Sequence, residues 1–157
     1  ELAGMLYENS DEPYCEELAK AITTEIRKGN RIDTTTKLRN VIEKTLDFLP
    51  NNKEKKDIIK KTCQRAFQAL RIDVNNEFEV LYEFMEKLPG ALKPGGRVAI
   101  LTFHSGEDKL VKKALKAGYK EGIYSEYARD VVRPSAQECA QNGRARSTKM
   151  RWAVKAE

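Results

Sequence analysis

The chain has 157 residues, 40% of them hydrophobic and 34% charged, which allows a real core beneath a surface dense in ions. No run approaches the roughly 20 apolar residues of a membrane span, no signal-peptide pattern precedes the first helix, and Cys15, Cys63 and Cys139 are scattered and odd in number. The reading is a cytoplasmic protein with reduced thiols and no membrane partner. A single histidine gives a zinc site or a Ser-His-Asp triad little to draw on, so no metal is expected. The net charge of +5, from 29 basic and 24 acidic residues, hints at a polyanionic partner.

In chain order, Glu1 to Glu8 reads as an uncapped helix with Leu2, Met5 and Leu6 on one side. Asp11 caps a second helix with Pro13 in its first turn, Leu18, Ile22 and Ile26 on its stripe, and Gly29 as its stop. Thr34-Thr35-Thr36 offers an N-cap for Leu38, Val41, Ile42, Leu46 and Leu49, which Pro50 ends. A basic helix follows, with Ile58, Ile59, Cys63, Ala66, Phe67 and Leu70 inward, until Asn75-Asn76 breaks it. Asn76 and Glu79 open a helix through Phe78, Leu81, Met85 and Leu88 that Pro89-Gly90 should end.

The character changes at Pro94-Gly95-Gly96, a turn signal. Val98 to Phe103 is apolar without alternation, the pattern of a parallel strand buried on both faces. Ser105 then reads as an N-cap, Asp108 as the third helical residue, and Leu110, Val111, Ala114 and Leu115 as the stripe of a helix ending near Gly118. Glu126 to Arg133 is a weak strand, and Ser135 with Glu138 is a capping box. Met150, Trp152 and Val154 alternate with Lys149, Arg151 and Lys155 in a half-buried strand.

Ligand crevices in open α/β sheets lie at the carboxyl ends of strands, which singles out His104, Ser105, Glu107 and Asp108. Each has a plain reading beside the chemical one. A lone histidine before a helix is commonly a hydrogen-bonding residue, Ser105 is explained as a cap, and acidic groups suit a first helical turn. Arg144 to Lys149 is a short basic loop after a flexible Asn-Gly, fit for phosphate contacts.

Read together, Phe67-Gln68-Ala69-Leu70-Arg71-Ile72, Val74-Asn75, Leu92 to Arg97, Phe103-His104-Ser105 with Glu107-Asp108, and Asn142 with Arg144 to Ser147, Lys149 and Arg151 stand in the order of one family. The chain resembles the carboxy-terminal half of the methyltransferase H (MraW) family, which modifies the exocyclic amine of a cytidine in small-subunit ribosomal RNA. Asp11-Glu12, Ala19 to Ile22 and Thr34 to Thr36 resemble it more loosely. The resemblance implies an α/β fold: a helical insertion, residues 1–75, then residues 76–157 as the carboxy-terminal part of a Rossmann-like methyltransferase sheet. It implies an S-adenosylmethionine-dependent enzyme in which His104, Asp108, Asn75 and Arg71 line or support the cytidine pocket. Arg65, Gln68, Arg144, Arg146 and Lys149 would contact RNA.

Two departures bear on that pocket: Lys61-Thr62-Cys63-Gln64 replaces the family's His-Pro-Ala-Thr, and Gly106 replaces a leucine. The family's Gly-rich cofactor loop has no counterpart here, so no cofactor-binding residue is assigned and the chain alone is expected not to bind S-adenosylmethionine. The alternative is a non-catalytic module that grips RNA or a partner. The family arrangement puts Val98 to Phe103 beside the last strand, with Glu126–Arg133 at the far edge. The bare outer edge of Val98 to Phe103 is expected to support a homodimer.

Overall fold

A computed structural model describes all 157 residues and divides them after Asn76 into two units. The first is built from α1 (Leu2–Ser10), α2 (Cys15–Arg27), α3 (Thr35–Thr45) and α4 (Lys53–Asn75). Leu6, Leu18, Ile22, Leu38, Ile42, Leu46, Cys63, Ala66 and Ala69 form its core, each large aliphatic side chain worth about 1.5–3 kcal/mol when fully buried. Thr34 accepts from the Lys37 N–H and caps α3 as expected, while Asn52 caps α4 through the Lys55 N–H. Gly29, at φ 84°, lies just past the end of α2. The last helical residue of α3 is Thr45, several residues before Pro50.

Asp11 does not cap α2. It closes α1 in a left-handed conformation at φ 52°, and the carboxylate that serves the start of α2 belongs to Glu12, whose Oε1 accepts from the Tyr14 N–H at 3.0 Å. Glu12 is fully buried, an unexpected place for an acid. Thr62 Oγ1 on α4, equally buried, donates to the same oxygen at 3.5 Å. Asn9 Nδ2 donates to the Ala69 carbonyl and fixes α1 along α4. Helix α4 ends at Asn76, whose φ of 49° suits asparagine better than most residues.

The second unit contains α5 (Glu77–Ala91), β1 (Arg97–Thr102), α6 (Ser105–Lys120), β2 (Tyr124–Tyr127), α7 (Ala136–Gln141), a 3-10 helix (Gly143–Ser147) and β3 (Lys149–Lys155). Asn76 caps the end of α4, not the start of α5, and α5 runs through Pro89 to Ala91 where a stop was expected. Pro94-Gly95-Gly96 makes the expected turn: Gly95 takes φ 71°, and the Gly96 N–H donates to the Lys93 carbonyl. Ser135 accepts from the Glu138 N–H to cap α7.

The sheet order is β1-β3-β2, with the last strand central as expected, but both pairings are antiparallel. The weak strand begins earlier than its sequence suggested, contains a bulge between Tyr124 and Glu126, and leaves only an isolated Val132–Met150 bridge further on. Met85, Leu88, Val111, Leu115, Tyr124 and Ala153 form the core where α5 and α6 meet one face of the sheet, with Val98, Ile100 and Tyr127 against it.

Two expectations fail here for one reason: helices cover a single face. Strand β1 is not buried on both sides, since Ala99 and Leu101 point away from α6 and Leu101 is 57% exposed. In β3 the buried residues are Arg151 and Ala153, while Met150, Trp152 and Val154 lie on the open face, half-buried.

Burial holds the Glu12 carboxyl above its ordinary value of 4.5, despite the opposing pull of the Tyr14 N–H, Arg65 and Thr62. The protonated form is therefore the better folded one. Its stabilisation is complete below the unfolded value and is lost as pH rises through the raised folded value. Glu12→Gln keeps an acceptor for Tyr14 and is neutral throughout. It should be more stable than the parent at neutral pH, with the difference shrinking toward pH 4.5 and below; urea midpoints across that range check this.

Candidate functional site

At the carboxyl end of β1 the chain leaves the sheet through Phe103 and enters α6 under a cap supplied by His104, not by Ser105. His104 Nδ1 accepts from the Glu107 N–H at 3.4 Å, and Glu107 Oε2 accepts from the Phe103 N–H at 2.9 Å. This is a reciprocal cap in which histidine plays the part usually given to serine, with Glu107, not Asp108, at the third helical position. Glu107 Oε1 lies 3.5 Å from His104 Nε2, and the Phe78 ring meets the imidazole edge-on at 5.8 Å. Gly106 is what lets Phe78 approach: a Cβ there would stand 2.7 Å from the Phe78 ring and 3.2 Å from His104 Nδ1. The family's leucine cannot occupy position 106 while Phe78 lies where it does.

Asp108, one turn into α6, is buried and held by Arg151 of β3 in a two-point grip, with Nε at 2.7 Å from Oδ1 and Nη2 at 3.1 Å from Oδ2. Arg151 Nη1 also donates to the Ala128 and Arg129 carbonyls. Lys149 Nζ stands 4.0 Å from Asp108, so the structure brings Lys149 to Asp108. The Arg151 hydrogen bonds hold the Asp108 carboxyl below its usual range, with the charges of Arg151, Lys149 and Lys112 assisting against burial. Asp108 is thus permanently ionised at neutral pH and committed to Arg151.

Arg144 and Arg146 are not in an open loop. They flank buried Ala145 in the 3-10 helix, which Asn142 caps by accepting from the Arg144 N–H, and both side chains reach solvent. In the first unit, Gln68, Arg71 and Asn75 follow at three- and four-residue steps along one side of α4, with Arg65 at the edge of that side next to buried Ala69 and Ile72. Arg71 and Asn75 are exposed there; Arg65 and Gln68 are half-buried.

Glu12 and Arg151 stand within motifs of the sequence without a site role assigned to either, and Glu77 carries no signal there. Glu77 belongs to a group with His104 and Glu107 whose ligand atoms lie within 4.8 Å of one another. A cation there would take His104 through Nε2. Because Nδ1 already accepts the Glu107 N–H, the neutral ring carries its proton on Nε2, so metal binding would cost either that proton or the helix cap. The Nε2 atom is itself out of solvent, 3.5 Å from Glu107 Oε1.

The residues present do not form a cradle for S-adenosylmethionine. The Gly95 N–H donates to the Lys155 carbonyl and the Gly96 N–H to the Lys93 carbonyl, and the turn after β1 is closed by the Glu107 carboxylate. Anion sites of the dinucleotide kind need such backbone N–H groups open.

These features meet in one class of protein. A model of the MraW methylase family matches residues 1–156, and the chain belongs to that family. It is 88% identical over its full length to ribosomal RNA small subunit methyltransferase H 1 of Agathobacter rectalis, covering 45% of that protein. It is 70% identical over 99% of its length to the protein of the same name from Lachnoclostridium phytofermentans, covering 42% of it. A third relative, ribosomal RNA small subunit methyltransferase H 2 of Alkaliphilus metalliredigens, is 60% identical, with 44% of it covered. The chain therefore spans a little under half the length of these curated relatives.

Asp108→Ala leaves the Arg151 guanidinium buried without its counter-charge and should cost about 3–5 kcal/mol. The parent's advantage should shrink as pH falls through the lowered Asp108 value, because stabilisation by a depressed carboxylate is present above 3.8 and lost in acid. Denaturant titrations of both proteins at neutral and acid pH check the size and the sign.

Proposed function

We propose that this chain is the carboxy-terminal part of an S-adenosylmethionine-dependent enzyme that methylates the exocyclic amine of a cytidine in small-subunit ribosomal RNA. On this reading residues 1–76 are a helical insertion, and residues 77–157 complete a Rossmann-like sheet whose cofactor-binding half lies outside the chain. The observation that carries it is His104 at the carboxyl end of β1, fixed by Glu107 and Phe78 inside a chain that matches the family end to end. His104 lines the place of the target base at the carboxyl end of β1, and Asp108 positions it by locking α6 onto β3. By the family resemblance, Arg71 and Asn75 on α4 serve binding of the target cytidine. Arg65, Gln68, Arg144, Arg146 and Lys149 hold RNA phosphates, and much of the rate comes from orienting the base.

A second reading, a binding module without catalysis, is supported by the turns around β1, whose backbone groups are already engaged. The two separate in one assay. The native polypeptide carrying this chain is incubated with undermodified small ribosomal subunits and labelled S-adenosylmethionine, and the nucleosides are analysed. The enzyme reading expects label on a cytidine amine and a fall in kcat of about 10-fold or more with His104→Ala. Subunit binding without transferred label would establish the module.

The outer edge of β1 and the apolar face carrying Leu101, Met150 and Trp152 are surfaces that a further strand and helices of the same fold would cover. Unpaired strand edges invite association. Residues 1–157 on their own should therefore run as a dimer or larger species at tens of micromolar in light scattering. A monomer with protected β1 amides would count against this placement of the sheet.

A further inference from the structure

We propose that Glu12 is a positioning residue for RNA binding: its buried carboxylate orients the Arg65 guanidinium on the surface of α4. The inference rests on the reading of Arg65 as a phosphate contact, and it assigns a purpose to a charge that the fold does not need. Both carboxylate oxygens of Glu12 are out of solvent, and they have different surroundings. Oε1 accepts from the Tyr14 N–H and from Thr62 Oγ1, which joins the start of α2 to α4. Oε2 is buried without a hydrogen-bond partner and lies 3.8 Å from Arg65 Nη1. A glutamine would serve the Oε1 side equally well. What it would lose is the negative charge, and the cation beside that charge is Arg65.

Arg65 lies one turn beyond Thr62 on α4, with its side chain 38% exposed. One guanidinium nitrogen thus stands 3.8 Å from a buried carboxyl oxygen, while the side chain remains partly exposed on α4, three residues before Gln68. A guanidinium has five N–H donors in a rigid plane, so an anchor on one edge leaves a pre-aimed fork for a phosphate on another. Ordering a long side chain before association removes part of the entropy that binding would otherwise cost.

The sign of the expected effect separates positioning from a merely structural role. Removing a negative charge from a protein that binds a polyanion should tighten binding or leave it alone. If Glu12 positions Arg65, Glu12→Gln does the opposite. The full chain is titrated with a synthetic small-subunit ribosomal RNA oligonucleotide over a range of salt. Arg65→Ala should reduce the log–log salt slope by roughly 0.7–0.9, the value for one lost phosphate contact. Glu12→Gln should weaken binding and reduce the slope in the same direction, and Glu12→Gln with Arg65→Ala should bind no more weakly than Arg65→Ala alone. Circular dichroism confirms that each variant is folded before its slope is compared. Unchanged or tighter binding by Glu12→Gln, beside a reduced slope for Arg65→Ala, overturns the inference and leaves the RNA reading of Arg65 standing. An unchanged slope for Arg65→Ala removes both.

Discussion

Arg151 enters the core from the middle strand of a three-stranded sheet, and almost everything near the candidate site depends on where its guanidinium goes. Two of its nitrogens grip Asp108 and a third reaches the carbonyls that follow β2. One side chain thereby joins β3, α6 and the segment leaving β2. A buried ion pair is a poor source of net stability, because desolvation offsets most of the attraction. Its value here is specificity of arrangement. With Asp108 fixed, the first turn of α6 has one orientation, and His104 and Glu107 can cap it in only one way.

The helical unit repeats this use of charge in a different form. Glu12 is fully buried beside Thr62, where an apolar residue would be expected, and burial shifts its carboxyl toward the neutral form. Natural proteins tolerate such costs where geometry has to be held. In both units a buried acid faces an arginine. In the second the arginine is buried as well, and the pair is closed; in the first the arginine reaches the surface, and the pair is open on one side.

Most local structure could be read from the chain. Thr34, Ser135 and the Pro94-Gly95 turn behave as their side chains dictate, because each acts over three or four residues. The errors arise where a distant partner decides. Serine is the commoner cap, yet His104 takes that place because Phe78 and Glu107 brace its ring. An alternating strand specifies two faces without saying which one is inside. Apolar Met150, Trp152 and Val154 favour one choice, and the Asp108–Arg151 pair, separated by 43 residues, imposes the other. Asp11 and Glu12 stand side by side, and which of the two turns inward depends on Thr62 and Arg65 fifty residues away. For the same reason the site was legible as a set of motifs and not as an arrangement.

Trp152 is the chain's single tryptophan, and its placement on the uncovered face of the sheet gives the protein an optical reporter. An indole in contact with water emits at longer wavelength than one enclosed by apolar side chains. Whatever comes to lie over that face, whether a helix from the same polypeptide or a second copy, must pack on this ring. The colour of its emission would then follow completion of the sheet in real time, without any added label.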